Sequence, residues 1–170
     1  GQSILEMGYH STIGYGDDQK MALLLVNGLL GAFPHSKLFT QVREKEGLAY
    51  TVSSHLDLFS GFLRLFAGIN RQNRNKARKL MNDQLLNIKN GRFTDSEINQ
   101  TKEMIRRTML LSQDNQDSTI DREYLSIFFG KSVLDLDTLI ETLEQVDKEA
   151  ICRAASSLKL QAIYFMEGAE

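Results

Sequence analysis

The chain has 170 residues, of which 42% are apolar and 25% are charged, and its formal net charge is −2. This length and balance suit one globular domain with a sizeable core, and they give no electrostatic reason to expect binding to nucleic acid or to an anionic membrane. No apolar run reaches the ~20 residues that a membrane-spanning helix needs. The single cysteine, Cys152, excludes an internal disulfide and fits a reducing compartment, so we expect a cytoplasmic location.

The first half of the chain predicts a strand, two helices and a hairpin. Residues 3–10 read as a short strand, and an apolar helix follows until Pro34 interrupts it. Ser36 is suited to cap the next helix, and Gly47 is suited to end it. Residues 48–69 contain two segments of alternating polarity around a short turn, which predicts an antiparallel hairpin.

The second half predicts mostly helices and one closing strand. A long helix ends at Asn90 and Gly91, and Thr94 with Glu97 forms a capping box that opens the next helix. Further helical patterns cover residues 118–129, 138–145 and 148–158, and residues 159–167 read as a strand. Many helices with few strands predict an α+β fold: a two-layer α/β sandwich, with an antiparallel or mixed sheet and helices on one face.

The chain contains no recognisable motif for a catalytic centre. The three histidines, His10, His35 and His55, have no partner at the spacing of a zinc-binding helix, and no nucleophile elbow or phosphate-binding loop occurs. His55 and Asp57 lie two apart on a predicted strand, where an exposed polar face explains them better than a catalytic dyad. Cys152 lies in a helical pattern that favours a packed, inert thiol. We therefore expect no metal or cofactor in this chain.

The stretch HSKLFTQVREKEGLAYTVSS (residues 35–54) resembles a segment of a known peptidase family. Similar segments occur in the C-terminal-half domain of the pitrilysin, insulinase and mitochondrial processing peptidase family, which are inverted-motif zinc metallopeptidases. That family pairs a Ser-x-Leu-Phe helix start with an Arg-Glu-Lys-x-Gly-Leu-Ala-Tyr stretch. The matching positions are Ser36, Leu38, Phe39, Arg43, Glu44, Lys45, Gly47, Leu48, Ala49 and Tyr50.

The resemblance implies an architecture and a site. Such proteins enclose a chamber between repeated α/β domains, with zinc bound in the N-terminal half. It implies that Arg43 and Tyr50 are substrate-binding residues that reach a peptide held near the zinc of another domain. The partners it implies are the N-terminal half domain or a homologous peptidase subunit, and a peptide substrate. We expect residues 1–170 to be a single α/β domain, a fragment (the C-terminal half) of a longer protein, that is inactive alone and that self-associates.

Two functions remain open at this point. The chain is either the substrate-chamber domain of a zinc metalloendopeptidase, supplying substrate-binding and oxyanion-stabilising residues, or half of a non-catalytic paralogue that pairs with an active peptidase. The presence of Arg43 and Tyr50 also has a structural explanation, because an arginine favours a helix C-terminus and a tyrosine favours a strand. Where the family often has a run of glycines, this chain has Phe33 and His35, which puts any glycine-loop contact with substrate in question.

The expected direction of the Tyr50 side chain is also open. Period-two alternation places Tyr50 on the apolar face with Leu48 and Val52, opposite Thr51 and Ser53. Either this apolar face lines the chamber, or a bulge near Ala49 turns the side chain outward.

Overall fold

The computed structural model of the chain describes residues 1–113, 124, 127 and 135–168. The four strands are β1 (Ser3–His10), β2 (Ala49–Asp57), β3 (Phe62–Ile69) and β4 (Lys159–Met166). The α-helices are α1 (Lys20–Asn27), α2 (Arg74–Lys89), α3 (Asp95–Gln113), α4 (Leu136–Gln145) and α5 (Lys148–Ser157). Two π-helical segments span Gly28–Ala32 and Leu38–Lys45, and a 3₁₀ turn spans Arg71–Asn73. The helix predicted for residues 118–129 lies outside the described residues, apart from Tyr124 and Ile127.

The strands form one sheet in the order β2-β3-β1-β4, and every neighbouring pair is antiparallel. Successive side chains of a strand point to opposite faces, so Leu5, Met7 and Tyr9 share one face of β1, and all three are buried. Leu63 and Leu65 of β3 lie in the same core. The prediction of an α+β sandwich is confirmed, and the sheet is antiparallel rather than mixed.

The helices cover the buried face of the sheet. Along α2, Ala77, Met81, Leu85 and Ile88 recur at helical spacing and are all buried in the core that the strands share. Helix α1 is buried on several sides, as its nearly continuous apolar sequence predicts. Both α1 and α2 pack against α5. The core therefore lies between one sheet and one layer of helices.

Two helix starts were predicted from the sequence, and only one has the predicted contacts. At α3 the capping box forms: the Thr94 N–H donates to Glu97 Oε2 over 2.7 Å, and the Glu97 N–H donates to Thr94 Oγ1 over 3.1 Å. The cap predicted at Ser36 is wrong, because the second π-helical segment begins at Leu38, its N-cap residue is Lys37, and no side chain caps it. The buried Ser36 hydroxyl has no hydrogen-bond partner among the described residues, whereas the Ser36 carbonyl accepts from both the N–H and the hydroxyl of Thr40, each over 3.0 Å.

The opposite face of the sheet carries side chains of mixed polarity. Thr51, Ser53 and His55 of β2 are exposed there, as are Phe62 of β3 and Tyr164 of β4. None of the described helices packs over these residues, so this face is open to solvent or to a neighbouring domain. Among the described helices, none combines the length and the apolar character that crossing a bilayer demands.

Candidate substrate-binding site

Arg43 lies in the last turn of the second π-helical segment and is exposed. Its guanidinium carbon stands 4.6 Å from the centre of the Phe39 ring, a cation–π contact that orients the side chain. Nearby, the Glu46 carboxylate pairs with the Lys76 ammonium over 3.0 Å, which fastens the end of this segment to α2. The hydrogen bond from Lys76 holds the pKa of Glu46 below its usual range.

Gly47 reverses the chain between the π-helical segment and β2. Its φ of +59° is in the left-handed region, where only glycine is free of strain. The Leu48 N–H donates to the Val42 carbonyl over 2.9 Å and closes the turn. The predicted role of Gly47 as the residue that ends the helix is therefore confirmed.

Tyr50 occupies a β-bulge at the start of β2. Ala49 pairs with Ile69, and the next residue to pair is Thr51, with Gly68, so Tyr50 is the extra residue. Ala49 and Val52 both point into the core, while the Tyr50 side chain is 56% exposed. Simple alternation is wrong at this position, because the bulge shifts the pattern by one residue. Of the two directions considered from the sequence, the outward turn is the one that forms.

The Tyr50 hydroxyl donates a hydrogen bond to Asn70 Oδ1 over 2.8 Å. Asn70 immediately follows β3, and the antiparallel pairing of β2 with β3 brings it beside the bulge. Sequence reasoning missed Asn70, which stands in a polar loop and has no spacing that links it to Tyr50. Only the predicted hairpin could have indicated that the start of β2 and the end of β3 are neighbours.

Arg43 and Tyr50 are thus both exposed and both held by a neighbour, Phe39 and Asn70 respectively. The hydrogen bonds found among the described residues do not join one to the other. They lie on consecutive elements, which the short turn at Gly47 joins. Together they offer a guanidinium and a phenol, which are groups that bind carbonyl and amide atoms of a peptide.

The three histidines lie apart. His10 and His55 are exposed on β1 and β2, whereas His35 Nε2 lies 2.8 Å from Thr101 Oγ1 in a half-buried position. Within residues 1–113 and 135–168, no cluster of three or more histidine, cysteine or acidic residues could hold a metal ion. The residues described here therefore do not fit a zinc site.

The Asp57 carboxylate stabilises the hairpin turn between β2 and β3 through hydrogen bonds. Its oxygens accept from the Ser60 hydroxyl over 2.6 Å and from the Phe59 N–H over 3.0 Å. The hydrogen bond from Ser60 is the main reason that the pKa of Asp57 lies below its usual range. The Asp57 carboxylate is thus engaged in the turn, which agrees with the interpretation that His55 and Asp57 belong to an exposed polar face and not to a catalytic dyad.

Residues 1–105 match the family model described as the peptidase M16 inactive domain. The chain belongs to this family. It is 37% identical over 175 residues to the "Probable inactive metalloprotease YmfF" of Bacillus subtilis, a match that covers 99% of this chain and 39% of that protein. It is 28% identical to the "Uncharacterized zinc protease YmxG" of the same organism, a match that covers 84% of this chain and 36% of that protein. The family model and the 37%-identical relative confirm the predicted family.

Solved structures show the same fold. A conserved protein from Enterococcus faecalis V583 superposes with a TM-score of 0.95 at 41% identity, over 99% of this chain and 40% of that one. A peptidase M16 inactive domain from Pseudomonas fluorescens gives a TM-score of 0.81 at 20% identity, over 97% of this chain and 40% of that one. The chain therefore spans about two fifths of the length of these relatives.

Proposed function

We propose that this M16 domain forms the peptide-binding wall of a longer protein, with Arg43 and Tyr50 contacting the backbone of a bound peptide. The observation that carries the proposal is the bulge at Tyr50. A regular strand would bury this side chain beside Val52, yet the bulge exposes it and leaves the core intact. Bulges are common next to functional sites, where they re-aim a side chain.

The chemistry of the two side chains fits a peptide backbone. The Arg43 guanidinium has five N–H donors and no acceptor, so it suits a carbonyl oxygen or a developing oxyanion. A phenol has one O–H and a lone-pair-bearing oxygen, so it suits either a carbonyl or an amide N–H. Neither group is a nucleophile here, and both act by binding and orienting the peptide.

The proposed partner is a second peptidase-like domain. The described residues do not fit a zinc site, which supports the proposal that another domain holds the zinc of a catalytic parent protein. The partners that we propose are the N-terminal half domain of the same protein or a homologous subunit. Support comes from the coverage, because the chain matches only about two fifths of its relatives' length.

Whether the parent protein cleaves the peptide is a separate question with two candidate answers. One relative carries the name of an inactive metalloprotease at 37% identity, which favours a non-catalytic subunit that binds peptides. Another carries the name of a zinc protease at 28% identity, which favours a catalytic parent. A His-x-x-Glu-His motif and stoichiometric zinc in the full-length protein would establish the catalytic version.

The test uses the full-length protein that contains this chain, with Tyr50→Phe and Arg43→Ala variants and a labelled peptide. We expect each change to lower peptide affinity by about five- to tenfold, because one hydrogen bond to the peptide is lost. In a catalytic parent, Arg43→Ala would lower kcat more than it raises KM if the guanidinium stabilises the oxyanion.

Tyr164→Phe is the matched control, because Tyr164 is also 56% exposed and lies on the other edge strand. It should leave affinity unchanged. Thermal unfolding of Tyr50→Phe and Tyr164→Phe should stay close to that of the parent protein, since an exposed hydroxyl contributes little to folding. Unchanged peptide affinity in both Tyr50→Phe and Arg43→Ala would reject the proposed function.

A further inference from the structure

We propose that Asn70 is a further substrate-binding residue, and that Asn70 and Tyr50 together bind the main-chain groups of a peptide. In this pair the Tyr50 oxygen accepts one peptide N–H, while the Asn70 amide nitrogen donates to one peptide carbonyl. The inference rests on the proposed function above and makes it more specific. It predicts that the site takes an extended peptide and is indifferent to the side chain at the residue that the pair contacts.

The direction of one hydrogen bond determines what the pair offers to a ligand. The Tyr50 hydroxyl donates its only proton to Asn70 Oδ1 over 2.8 Å. Its outward side therefore presents lone pairs and no donor. The oxygen of the Asn70 amide is engaged by Tyr50, so the amide nitrogen supplies the donors of the pair. Among the described residues, no hydrogen bond is found for that nitrogen.

Asn70 lies at a position where an asparagine side chain often caps a helix, but its side chain does not form that cap. Asn70 stands at the N-cap of the 3₁₀ turn Arg71–Asn73, with an extended φ of −72° and ψ of 140°. Asparagine at an N-cap usually accepts from a backbone N–H of the first turn. Here the Asn73 N–H donates to the backbone carbonyl of Asn70 over 2.9 Å, and the Asn70 side chain makes no cap. The amide is instead turned toward the bulge.

The resulting group matches the backbone of an extended chain. An extended peptide presents N–H and C=O groups from its main chain, and recognition through these groups gives affinity without selecting side chains. The 2.8 Å hydrogen bond from the Tyr50 hydroxyl to Asn70 Oδ1 fixes the two side chains against each other, so the Tyr50 oxygen and the Asn70 amide nitrogen are presented together. Both residues are exposed, so a peptide reaches them without any rearrangement of the core.

The experiment uses the full-length protein with a high-affinity peptide, and with a series in which single amide links of that peptide are replaced by esters. An ester keeps the carbonyl but removes the N–H. At one position we expect the ester to bind about five- to tenfold more weakly than the amide. This penalty should vanish in Tyr50→Phe, which lacks the accepting oxygen, and it should shrink in Asn70→Ala, where the Tyr50 proton is free to turn outward.

Asn70 variants test the donor separately. Asn70→Asp keeps an acceptor for the Tyr50 hydroxyl but loses the N–H donors, and we expect about five- to tenfold weaker binding of the amide peptide. Gln72→Glu is the control, because it adds the same charge at an exposed position of the same 3₁₀ turn. Gln72→Glu should bind like the parent protein.

The outcomes separate this inference from the proposed function. Weaker binding by Tyr50→Phe with parent-like binding by both Asn70 variants would overturn the inference and leave the proposed function standing. An ester series with no sensitive position would also overturn it, because Tyr50 would then not accept an N–H. Parent-like binding by Tyr50→Phe and Arg43→Ala alike would reject the proposed function itself. Since Asn70→Asp keeps the bond to Tyr50, it serves as the folded variant if Asn70→Ala is unstable.

Discussion

At the scale of single residues, His35 is the histidine that the fold constrains most. Its ring stacks on Phe33, with centres 5.7 Å apart, and its Nε2 lies 2.8 Å from Thr101 Oγ1. Burial is the main influence on its pKa and lowers it from 6.5, while the nearby Glu97 carboxylate acts in the opposite direction. Because Thr101 lies on α3, the contact with His35 holds this loop against that helix.

We expect His35 to make the domain less stable in mild acid. Below about pH 6.5 the unfolded chain protonates His35 more readily than the folded chain does, so the free energy of unfolding falls as the pH is lowered. His35→Gln should remove this contribution and flatten the decline of the melting temperature between about pH 7.5 and about pH 5.5. His55→Gln, on an exposed part of β2, should keep the parent profile. An unchanged decline in His35→Gln would contradict this assignment.

At the scale of elements, the first π-helical segment packs directly on β2. Gly31 in this segment has no room for a side chain, because an added Cβ would lie 2.7 Å from the Ser54 backbone nitrogen and 2.8 Å from Leu38 Cδ1. Ser54 also donates its hydroxyl to Asn27 Oδ1 over 2.7 Å. This close approach fixes the strand whose bulge carries Tyr50.

Gly31→Ala should therefore destabilise the domain by about 1–3 kcal/mol, which is typical of overpacking a well-filled core. The measurement is urea unfolding of the parent chain and the variant. Gly14→Ala is the control, because the nearest atom to its Cβ would be the Leu58 oxygen at 3.6 Å, an ordinary contact. It should change the free energy of unfolding by less than about 0.5 kcal/mol. Equal stability of the two variants would show that the contact at Ser54 relaxes without cost.

Much of this element structure is predictable from the sequence. Periodicity indicates the strands and the long helices, and the residue types and spacing of Thr94 and Glu97 are sufficient to predict the capping box. The bulge is not predictable, because Leu48, Tyr50 and Val52 continue the alternation without interruption. The π-helical geometry is hidden for a similar reason, since the same apolar residues suit an α-helix. The role of Asn70 depends on a contact across the hairpin, which no local pattern records.

At the scale of the whole molecule, one face of the sheet has no helix over it among the described residues. Exposed apolar side chains occur there and along the β4 edge, including Phe62, Tyr164 and Met166. β4 is also an edge strand, and the backbone groups along its outer edge are available for pairing. A surface of this kind is suited to contact with another domain.

The isolated chain should therefore self-associate as its concentration rises, which light scattering measures as an increasing average mass. The double variant Tyr164→Lys/Met166→Lys should remain monomeric to higher concentration, because charges on an edge strand oppose pairing. Leu111→Lys is the control, since Leu111 is an exposed apolar residue on α3, away from the sheet. A parent chain that keeps the monomer mass at every concentration would contradict the prediction, and so would an equal effect of Leu111→Lys.

Because of the bulge at Tyr50, β2 contains one residue more than the part of β3 with which it pairs. Ala49 and Thr51 pair with the consecutive residues Ile69 and Gly68, so the hydrogen-bond ladder passes from one to the other as if residue 50 were not there. Removing that residue from the sequence would restore strict alternation and keep every later pairing of β2 in place. Tyr50 is therefore an extra residue in the sheet, and the pairing of β2 with β3 places no demand on which side chain stands at this position.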